Sequence, residues 1–164
     1  MLNRLFGRPA AAHVPETQRR RVEEELLTFV RSLFSFLDLA SQGAKEDRLP
    51  EEAESAANRA VQSVSKLRQL WPEGEASFTD LQRVADTIPS YLETFRSWED
   101  LSKQVERDPQ FADAKRLFKE IRRKRKEITS TMDKSLSGAI DRLRDAGIDF
   151  ISISAKAQKS FRQD

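Results

Sequence analysis

The stretch Leu26–Ala40 reads LLTFVRSLFSFLDLA and is the most apolar part of the chain. Ten of its fifteen residues are apolar, and they recur every three or four positions, which is the spacing of one face of an α-helix. Val30, Phe34 and Leu39 widen that face until it surrounds most of the helix. A helix that is apolar nearly all round is typical of the inside of a bundle. We therefore expect a central helix against which the other helices pack.

A membrane-spanning helix is the alternative interpretation of this stretch. A span needs about 20 predominantly apolar residues, whereas here the run is shorter and is interrupted by Arg31 and Asp38. A charged side chain at the centre of a bilayer costs about 3 kcal/mol or more. The sequence therefore favours a core helix.

The composition indicates the fold class. Of 164 residues, 34% are charged and 38% apolar, with few Gly and Pro. Such a mixture with helical periodicity is typical of long exposed helices rather than sheets or disorder. The chain has no Cys, which excludes disulfides and thiolate metal sites and fits a cytoplasmic protein. We expect an all-α fold, an antiparallel bundle of four to five helices with one long basic helix.

Length predicts one helical-bundle domain, which we place at residues 16–164 after a flexible lead-in of residues 1–15. The first helix is expected from about Pro15–Thr17 to Ser41, with Gly43 as its stop. A second helix follows from Pro50 to Leu70 and ends in the loop WPEGEAS. Its inward face is expected to consist of Ala53, Ala57, Ala60, Val64, Leu67 and Trp71.

Capping and breaking residues delimit the next two helices. Ser77–Asp80 has the spacing of a capping box and is expected to open the third helix. Pro89 either kinks this helix or divides it in two, and the continuous apolar phase favours a kink. Asp108-Pro109 predicts the start of a fourth helix that Gly147 caps. At nearly forty residues, about 55 Å, it would be the longest element and a candidate to project beyond the bundle.

The end of the chain holds one weak point and one ambiguous segment. Gly138 lies inside the fourth helix, where Gly costs about 1 kcal/mol relative to Ala. The tail IDFISISAKAQKSFRQD fits a strand poorly because its alternation breaks at residues 150–151. We expect a short final helix there.

Residue types that carry catalysis or bind cofactors are scarce. His13 is the single His and falls in an expected loop, so it cannot supply the converging ligands of a metallohydrolase site or the base of a Ser–His–Asp triad. The phosphate-loop pattern GxxxxGK and the dinucleotide pattern GxGxxG are absent. The Glu-x-x-His motif of di-iron bundles is absent as well. We expect no catalytic, cofactor-binding or metal-binding residues, and a protein that is not an enzyme.

The basic segment, residues 115–126, reads KRLFKEIRRKRK and is the sharpest local feature. Eight of its twelve residues are basic and one is acidic. On a helix such a run points in all directions, and Arg125 falls on the apolar line. That side chain either snorkels, pairs with an acid on a neighbouring helix, or marks the point where the helix leaves the core. The candidate binding residues are Lys115, Arg116, Lys119, Arg122, Arg123, Lys124, Arg125 and Lys126.

Three kinds of partner fit the basic segment. Nucleic acid would bind through its phosphates, but no stacking aromatic residues are interleaved on the exposed face. An anionic membrane would attract the segment by about 1 kcal/mol per basic residue. The third kind, which the sequence favours, is the acidic stretch Glu46–Glu54 of this chain or a partner protein. We expect a non-enzymatic interaction or scaffold protein that binds a protein partner or self-associates.

The N-terminal residues MLNRLFGRP form a candidate membrane foot. Leu2, Leu5 and Phe6 could share one side of a helical turn, with Arg4 and Arg8 beside them. A frayed terminus, or a flap over the end of the bundle, is the alternative. The stretch lacks the apolar core of a secretory signal. We expect a cytoplasmic protein, with peripheral binding at the inner membrane face as the second possibility.

Residues 88–101, IPSYLETFRSWEDL, resemble a stretch of the 5-bromo-4-chloroindolyl phosphate hydrolysis (XpaC-like) family. A Pro is followed by an apolar or aromatic residue at every third position, here Pro89, Leu92, Phe95, Trp98 and Leu101. The similarity extends over about residues 50–146, an Ala-rich helix before this stretch and a long charged helix after it. This chain has Ile-Pro where the family tends to have Leu-Pro, and it shows none of the N-terminal membrane helices of some members.

That resemblance implies a helical cytoplasmic protein associated with stress or toxic-anion (tellurite) resistance. It supplies no catalytic residues. The family name suggests a phosphatase-type hydrolase, which we keep as an alternative function.

Overall fold

A computed structural model describes residues 12–46 and 48–161, and every regular element in them is helical. The expected all-α class is therefore confirmed for this part of the chain, including the short final helix. The candidate membrane foot lies outside the described residues. The elements are α1 (Glu16–Glu46), α2 (Glu51–Leu70), a 3₁₀ helix (Pro72–Phe78), α3 (Thr79–Arg107), α4 (Ala114–Asp145) and α5 (Phe150–Phe161).

The helices pack mainly in consecutive pairs. α1 packs along α2, α3 packs along α4, and α5 lies against α1 and the end of α4. The Phe36 ring of α1 meets the Tyr91 ring of α3 edge-to-face, with 5.7 Å between centroids. The expectation that α1 is the centre for all other helices is thus only partly correct, because the principal neighbour of α3 is α4.

Small side chains bring α1 and α2 together. Ala53, Ala57 and Ala60 are fully buried on the predicted face of α2, followed by Val64 and Leu67. Alanine lets two helix backbones approach closely, whereas larger side chains hold them apart. The inward face predicted for α2 is confirmed.

Gly43 does not end α1, and the predicted end near Ser41 is wrong. The helix continues to Glu46. A Cβ atom at Gly43 would lie 2.6 Å from the carbonyl oxygen of Arg48. The amide of Arg48 also donates to the carbonyl of Gly43 over 3.0 Å. This glycine therefore makes room for the backbone that turns back five residues later, a local role at the end of α1.

The predicted loop and capping box before α3 are also corrected. Residues 72–78 form a 3₁₀ helix, whose Phe78 ring packs edge-to-face on Trp71 at 5.8 Å. α3 begins at Thr79 without a side-chain cap. Ser77 is buried, and the carboxylate of Asp80 is turned away from the helix start toward α4. The S-x-x-D spacing was misleading because a long-range partner competes for the carboxylate.

α3 runs through Pro89 as one helix, as the continuous apolar phase predicted. The predicted start of α4 at Asp108-Pro109 is wrong, because α4 begins at Ala114. Asp108 instead opens a turn, in which its side chain accepts a hydrogen bond from the amide of Gln110 over 3.2 Å. A proline after an aspartate starts turns as well as helices.

The predicted cap at Gly147 is confirmed. Its φ is +81°, in the left-handed region that favours glycine. The amide of Gly147 donates to Arg144 over 2.9 Å, and that of Ile148 donates to Leu143 over 2.8 Å. This is the Schellman pattern. Val14, which precedes α1, is buried and donates its amide to the carbonyl of Ala146 over 3.0 Å.

In residues 12–46 and 48–161, no helix combines the length and the apolar character that crossing a membrane requires.

Candidate functional site

The basic segment lies where α3 and α4 extend past the main core. The last buried residue of α3 is Leu101, and the first buried residue of α4 is Ile128. Trp98 and Leu101 are buried but lie outside the main hydrophobic cluster. We call residues 98–127 the α3–α4 arm. Because nothing between residues 102 and 127 is buried, the arm offers two accessible sides to a partner.

A small apolar interior holds the arm together. The rings of Trp98 and Phe118 lie 4.4 Å apart between centroids at a tilt of 52°. Leu117 and Ile121 are half-buried and line, with Leu101 of α3, a groove along the arm. An aromatic pair such as Trp98 and Phe118 adds about 1 kcal/mol beyond the burial of area. The arm is therefore a packed helix pair that can present side chains in a fixed arrangement.

Arg125 faces inward and is engaged by α3. Its guanidinium carbon lies 4.0 Å from the ring centroid of Phe95 and 5.2 Å from that of Trp98. Its Nε donates to the hydroxyl of Thr94 over 3.0 Å, and its Nη2 donates to the carbonyl of Thr94 over 3.3 Å. Of the three expected fates of Arg125, the third fits these contacts best: the residue marks the point where α4 leaves the core, since the first buried residue of α4 is Ile128. We assign Arg125 a structural role at the base of the arm.

One side of the arm combines cations with an aromatic floor. Lys115, Lys119 and Arg122 are exposed and line, with Trp98, Phe118 and Ser102, a groove of about 650 Å³. We call it the basic groove. The guanidinium carbon of Arg122 lies 5.1 Å from the Trp98 ring centroid, a cation–π contact. All three charged residues of the groove have the same sign.

The opposite side of the arm has mixed charge. A groove of about 700 Å³ there carries Arg123 and Lys124 together with Asp100, Glu120 and Glu127. The Nε of Arg123 lies 3.6 Å from a carboxylate oxygen of Glu127. This side neutralises much of its own charge, so it attracts an anion less than the basic groove does.

The remaining candidates are Arg116 and Lys126. Arg116 pairs with Asp113 at 3.2 Å and with Glu120 at 3.0 Å. The hydrogen bond to Asp113, followed by the charge attraction of the same carboxylate, raises the pKa of Arg116 above its usual value. Lys126 is exposed. The structure thus separates the eight candidates: three line the basic groove, two line the opposite groove, Arg116 pairs with carboxylates of its own segment, Arg125 contacts α3, and Lys126 is exposed outside both grooves.

The acidic stretch Glu46–Glu54 does not neutralise the basic segment. Among the described residues, the acidic stretch forms one ion pair, in which Glu54 lies 3.5 Å from Arg96 of α3. No described carboxylate pairs with Lys115, Lys119 or Arg122. The hypothesis that this stretch meets the basic segment within one chain is therefore wrong for the described residues.

The floor of the groove is not evident from the sequence. Trp98 lies on the apolar face of α3 and is only 7% exposed. Its indole Nε1, however, has no hydrogen-bond partner. Phe118 and Trp98 follow the apolar spacing of their own helices, and that spacing does not show that they meet outside the main core.

Across residues 12–46 and 48–161, no three potential metal ligands of the types His, Asp and Glu come together. Comparison with protein-family models, with curated proteins and with solved structures finds no match to this chain.

Proposed function

We propose that this chain is an interaction protein, an antiparallel helical bundle that presents the α3–α4 arm to a protein partner. The observation that carries the proposal is a set of exposed cations on an arm outside the main core, with no pairing carboxylate in the described chain. Charge left unpaired on a rigid surface attracts an acidic partner and steers its approach. The cations are Lys115, Lys119, Arg122, Lys124 and Lys126.

A protein partner fits this surface better than nucleic acid or lipid. Trp98 is too buried to stack on a nucleic-acid base, and its ring already contacts Arg122 and Arg125. Stable docking on a membrane surface requires large exposed apolar side chains beside the cations. The large apolar residues exposed in the described chain are Ile151 and Phe161, and both lie on α5 rather than on the arm.

A role in stress or toxic-anion resistance is supported by the resemblance of residues 88–101 alone. In that role, the protein partner would be another component of the resistance system. A cytoplasmic location follows from the same resemblance and from the absence of Cys in the sequence.

The experiment that tests the proposal is partner capture by the full chain and by a charge-reversed arm. The arm variant is Lys119→Glu, Arg122→Glu, Lys124→Glu and Lys126→Glu; Arg125 is left intact because it is engaged by α3. The matched control reverses four exposed cations elsewhere: Arg21, Arg59, Lys66 and Lys156. Circular dichroism confirms that both variants keep their helicity.

We expect the arm variant to lose the captured partner and the control to retain it. Equal loss in both variants, or retention in both, overturns the proposal. A different outcome is that the parent chain co-sediments with anionic but not with neutral liposomes, in a salt-sensitive manner that only the arm variant loses. That result replaces the protein-partner proposal with membrane binding. Hydrolysis of a chromogenic phosphate that co-purifies with the chain and disappears in a point variant replaces it with the phosphatase-type alternative.

A further inference from the structure

The basic groove has a distinct arrangement of charge and apolar surface. Lys115, Lys119 and Arg122 stand at spacings of four and three residues on one side of α4. At 1.5 Å per residue, their Cα atoms are separated by about 6 and 4.5 Å along the helix axis. Carboxylates three and four residues apart on a partner helix repeat at the same intervals, so three ion pairs can form at once.

Among the three groove cations, Arg122 contacts an aromatic ring. Its guanidinium carbon lies 5.1 Å from the centroid of Trp98. A guanidinium that already has such a contact loses less freedom when it binds a carboxylate through two parallel hydrogen bonds. Arg122 is therefore suited to anchor one acidic side chain in a defined position.

The floor of the groove adds an apolar requirement. Trp98 and Phe118 form it, with 4.4 Å between ring centroids, and the half-buried Phe118 is the ring that a partner side chain can cover. A single large apolar side chain placed on this floor would be removed from water, a gain of about 1.5–3 kcal/mol when burial is complete. Trp98 also keeps an indole N–H that has no acceptor.

We infer that the basic groove, and not the opposite side of the arm, binds an acidic segment of a partner protein. That segment carries three carboxylates for the three cations and, between them in its sequence, one large apolar side chain that packs on the floor of the groove. This inference rests on the proposed function and names the partner chemistry and the side of the arm. The mixed charge around Arg123 and Lys124 is the reason for excluding the opposite side, since Glu120 and Glu127 would repel the same segment.

The indole N–H signals give a direct test in the full chain. The sequence contains two Trp residues, so a ¹H–¹⁵N spectrum resolves two indole signals, which Trp98→Phe assigns. The probe is a synthetic helical peptide with three Glu at relative positions 1, 5 and 8 and one Phe between them. The companion peptides replace the three Glu by Gln, or the Phe by Ala. Trp71 is 1% exposed and outside the arm, and it serves as the internal reference.

We expect the acidic peptide to shift the Trp98 indole signal in a saturable manner and to leave the Trp71 signal in place. Lys119→Glu with Arg122→Glu should weaken binding by about tenfold or more, because two close charge pairs become repulsive. The control pair Arg123→Glu with Lys124→Glu, on the opposite side, should change the affinity by no more than about twofold. Each companion peptide should bind more weakly than the original.

Several outcomes overturn the inference. Equal weakening by the two double variants shows attraction to the arm's charge in general rather than binding in the groove. Equal binding of the Phe→Ala peptide removes the apolar requirement. Loss of the natural partner in the four-residue arm variant, together with no shift at Trp98, leaves the proposed function intact and rejects the groove. Retention of the natural partner in that variant rejects the proposed function whatever the peptide does.

Discussion

The Nε of Arg142, near the end of α4, donates a hydrogen bond over 2.6 Å to Oδ2 of Asp80, in the first turn of α3. The Asp80 side chain is only 5% exposed, and its other oxygen accepts from Arg83 over 3.0 Å. α4 approaches the carboxylate closely because residue 138 is glycine. A Cβ atom there would lie 2.9 Å from Oδ2 of Asp80. This cluster joins the end of α4 to the start of α3.

Gly138→Ala should destabilise the protein, although helix propensity alone predicts a gain of about 1 kcal/mol. The new methyl group would press on both Oδ2 and the carboxyl carbon of Asp80, at 2.9 and 3.1 Å. Overpacking of a tight contact costs about 1–3 kcal/mol. Chemical denaturation measures the change. Ser137→Ala, exposed on the same turn, is the control, and Gly138→Ala should cost less in an Asp80→Ala background than in the parent protein. A Gly138→Ala protein more stable than the parent contradicts the prediction.

Arg142→Ala should cost about 1.5–3 kcal/mol, because it removes a charged hydrogen bond from a buried carboxylate that retains Arg83 alone. Arg144→Ala removes a comparable residue from the same turn, but its partner Asp141 is exposed. That variant should cost no more than about 0.5 kcal/mol. Urea denaturation of the two variants gives the comparison, and equal losses would show that Asp80 is better solvated than its burial implies.

Arg125→Ala should destabilise the base of the arm and change its fluorescence. It removes contacts with the Phe95 and Trp98 rings and two hydrogen bonds to Thr94. A partly desolvated cation–π contact contributes about 1–2 kcal/mol. Arg123→Ala, one exposed ion pair on the opposite side, should stay within about 0.5 kcal/mol. Thermal unfolding monitored by Trp emission compares the two variants. An Arg125→Ala protein as stable as the parent would rule out the structural role of Arg125.

Tyr91 should titrate above its usual pKa of 10.0 in the folded protein. Burial disfavours the phenolate and raises the pKa, while the nearby charge of Arg125 offsets part of this effect. The folded state thus holds its proton to a higher pH than the unfolded state. The stability linked to Tyr91 is complete below pH 10 and is lost as pH rises above it. Tyr91 is the single Tyr in the sequence, so phenolate absorbance follows it directly. The phenolate titration midpoint should fall when the protein is unfolded by denaturant, and a midpoint that does not fall contradicts this expectation.

Asp149→Ala should loosen α5. Both carboxylate oxygens of Asp149 accept from Ser152, one from its amide over 3.0 Å and one from its hydroxyl over 2.7 Å. These hydrogen bonds, that of the hydroxyl first, lower the pKa of Asp149 below 3.8. The carboxylate cap of α5 is therefore complete above pH 3.8, and the stabilisation that it gives is lost as pH falls through the lowered pKa of Asp149. Amide exchange along residues 150–161 measures the effect at neutral pH. Asp149→Asn should retain much of the protection, and unchanged exchange in Asp149→Ala would show that packing alone holds α5.

How far the sequence predicted this structure depends on the range of the interaction. The five α-helices, the buried alanine face of α2, the continuity of α3 through Pro89 and the cap at Gly147 all follow from patterns within one or two turns. Periodicity and capping act between neighbours in the chain, so a single sequence contains them. The basic segment was located for the same reason, because eight cations in twelve residues are visible without a fold.

The errors at Asp80 and Gly138 arose because a residue far away in the chain decided the outcome. Asp80 has the spacing of a helix cap, but its partner Arg142 lies 62 positions later. Gly138 resembled a weak point, but it makes room for Asp80, 2.9 Å from the missing Cβ. The error at Gly43 was local, since the atom 2.6 Å from its missing Cβ belongs to Arg48, five positions later.

By itself, the sequence determined which segments are helical, which face of each helix is apolar and where the positive charge is concentrated. Only the tertiary structure decided which cations of the basic segment remain accessible. Arg125 is engaged by Thr94, 31 positions earlier, whereas Arg122 stands at the rim of a groove floored by Trp98. Helical spacing assigns a side chain to a face of its own helix. It cannot say what that face meets, because the neighbouring helix is set by packing across the whole fold.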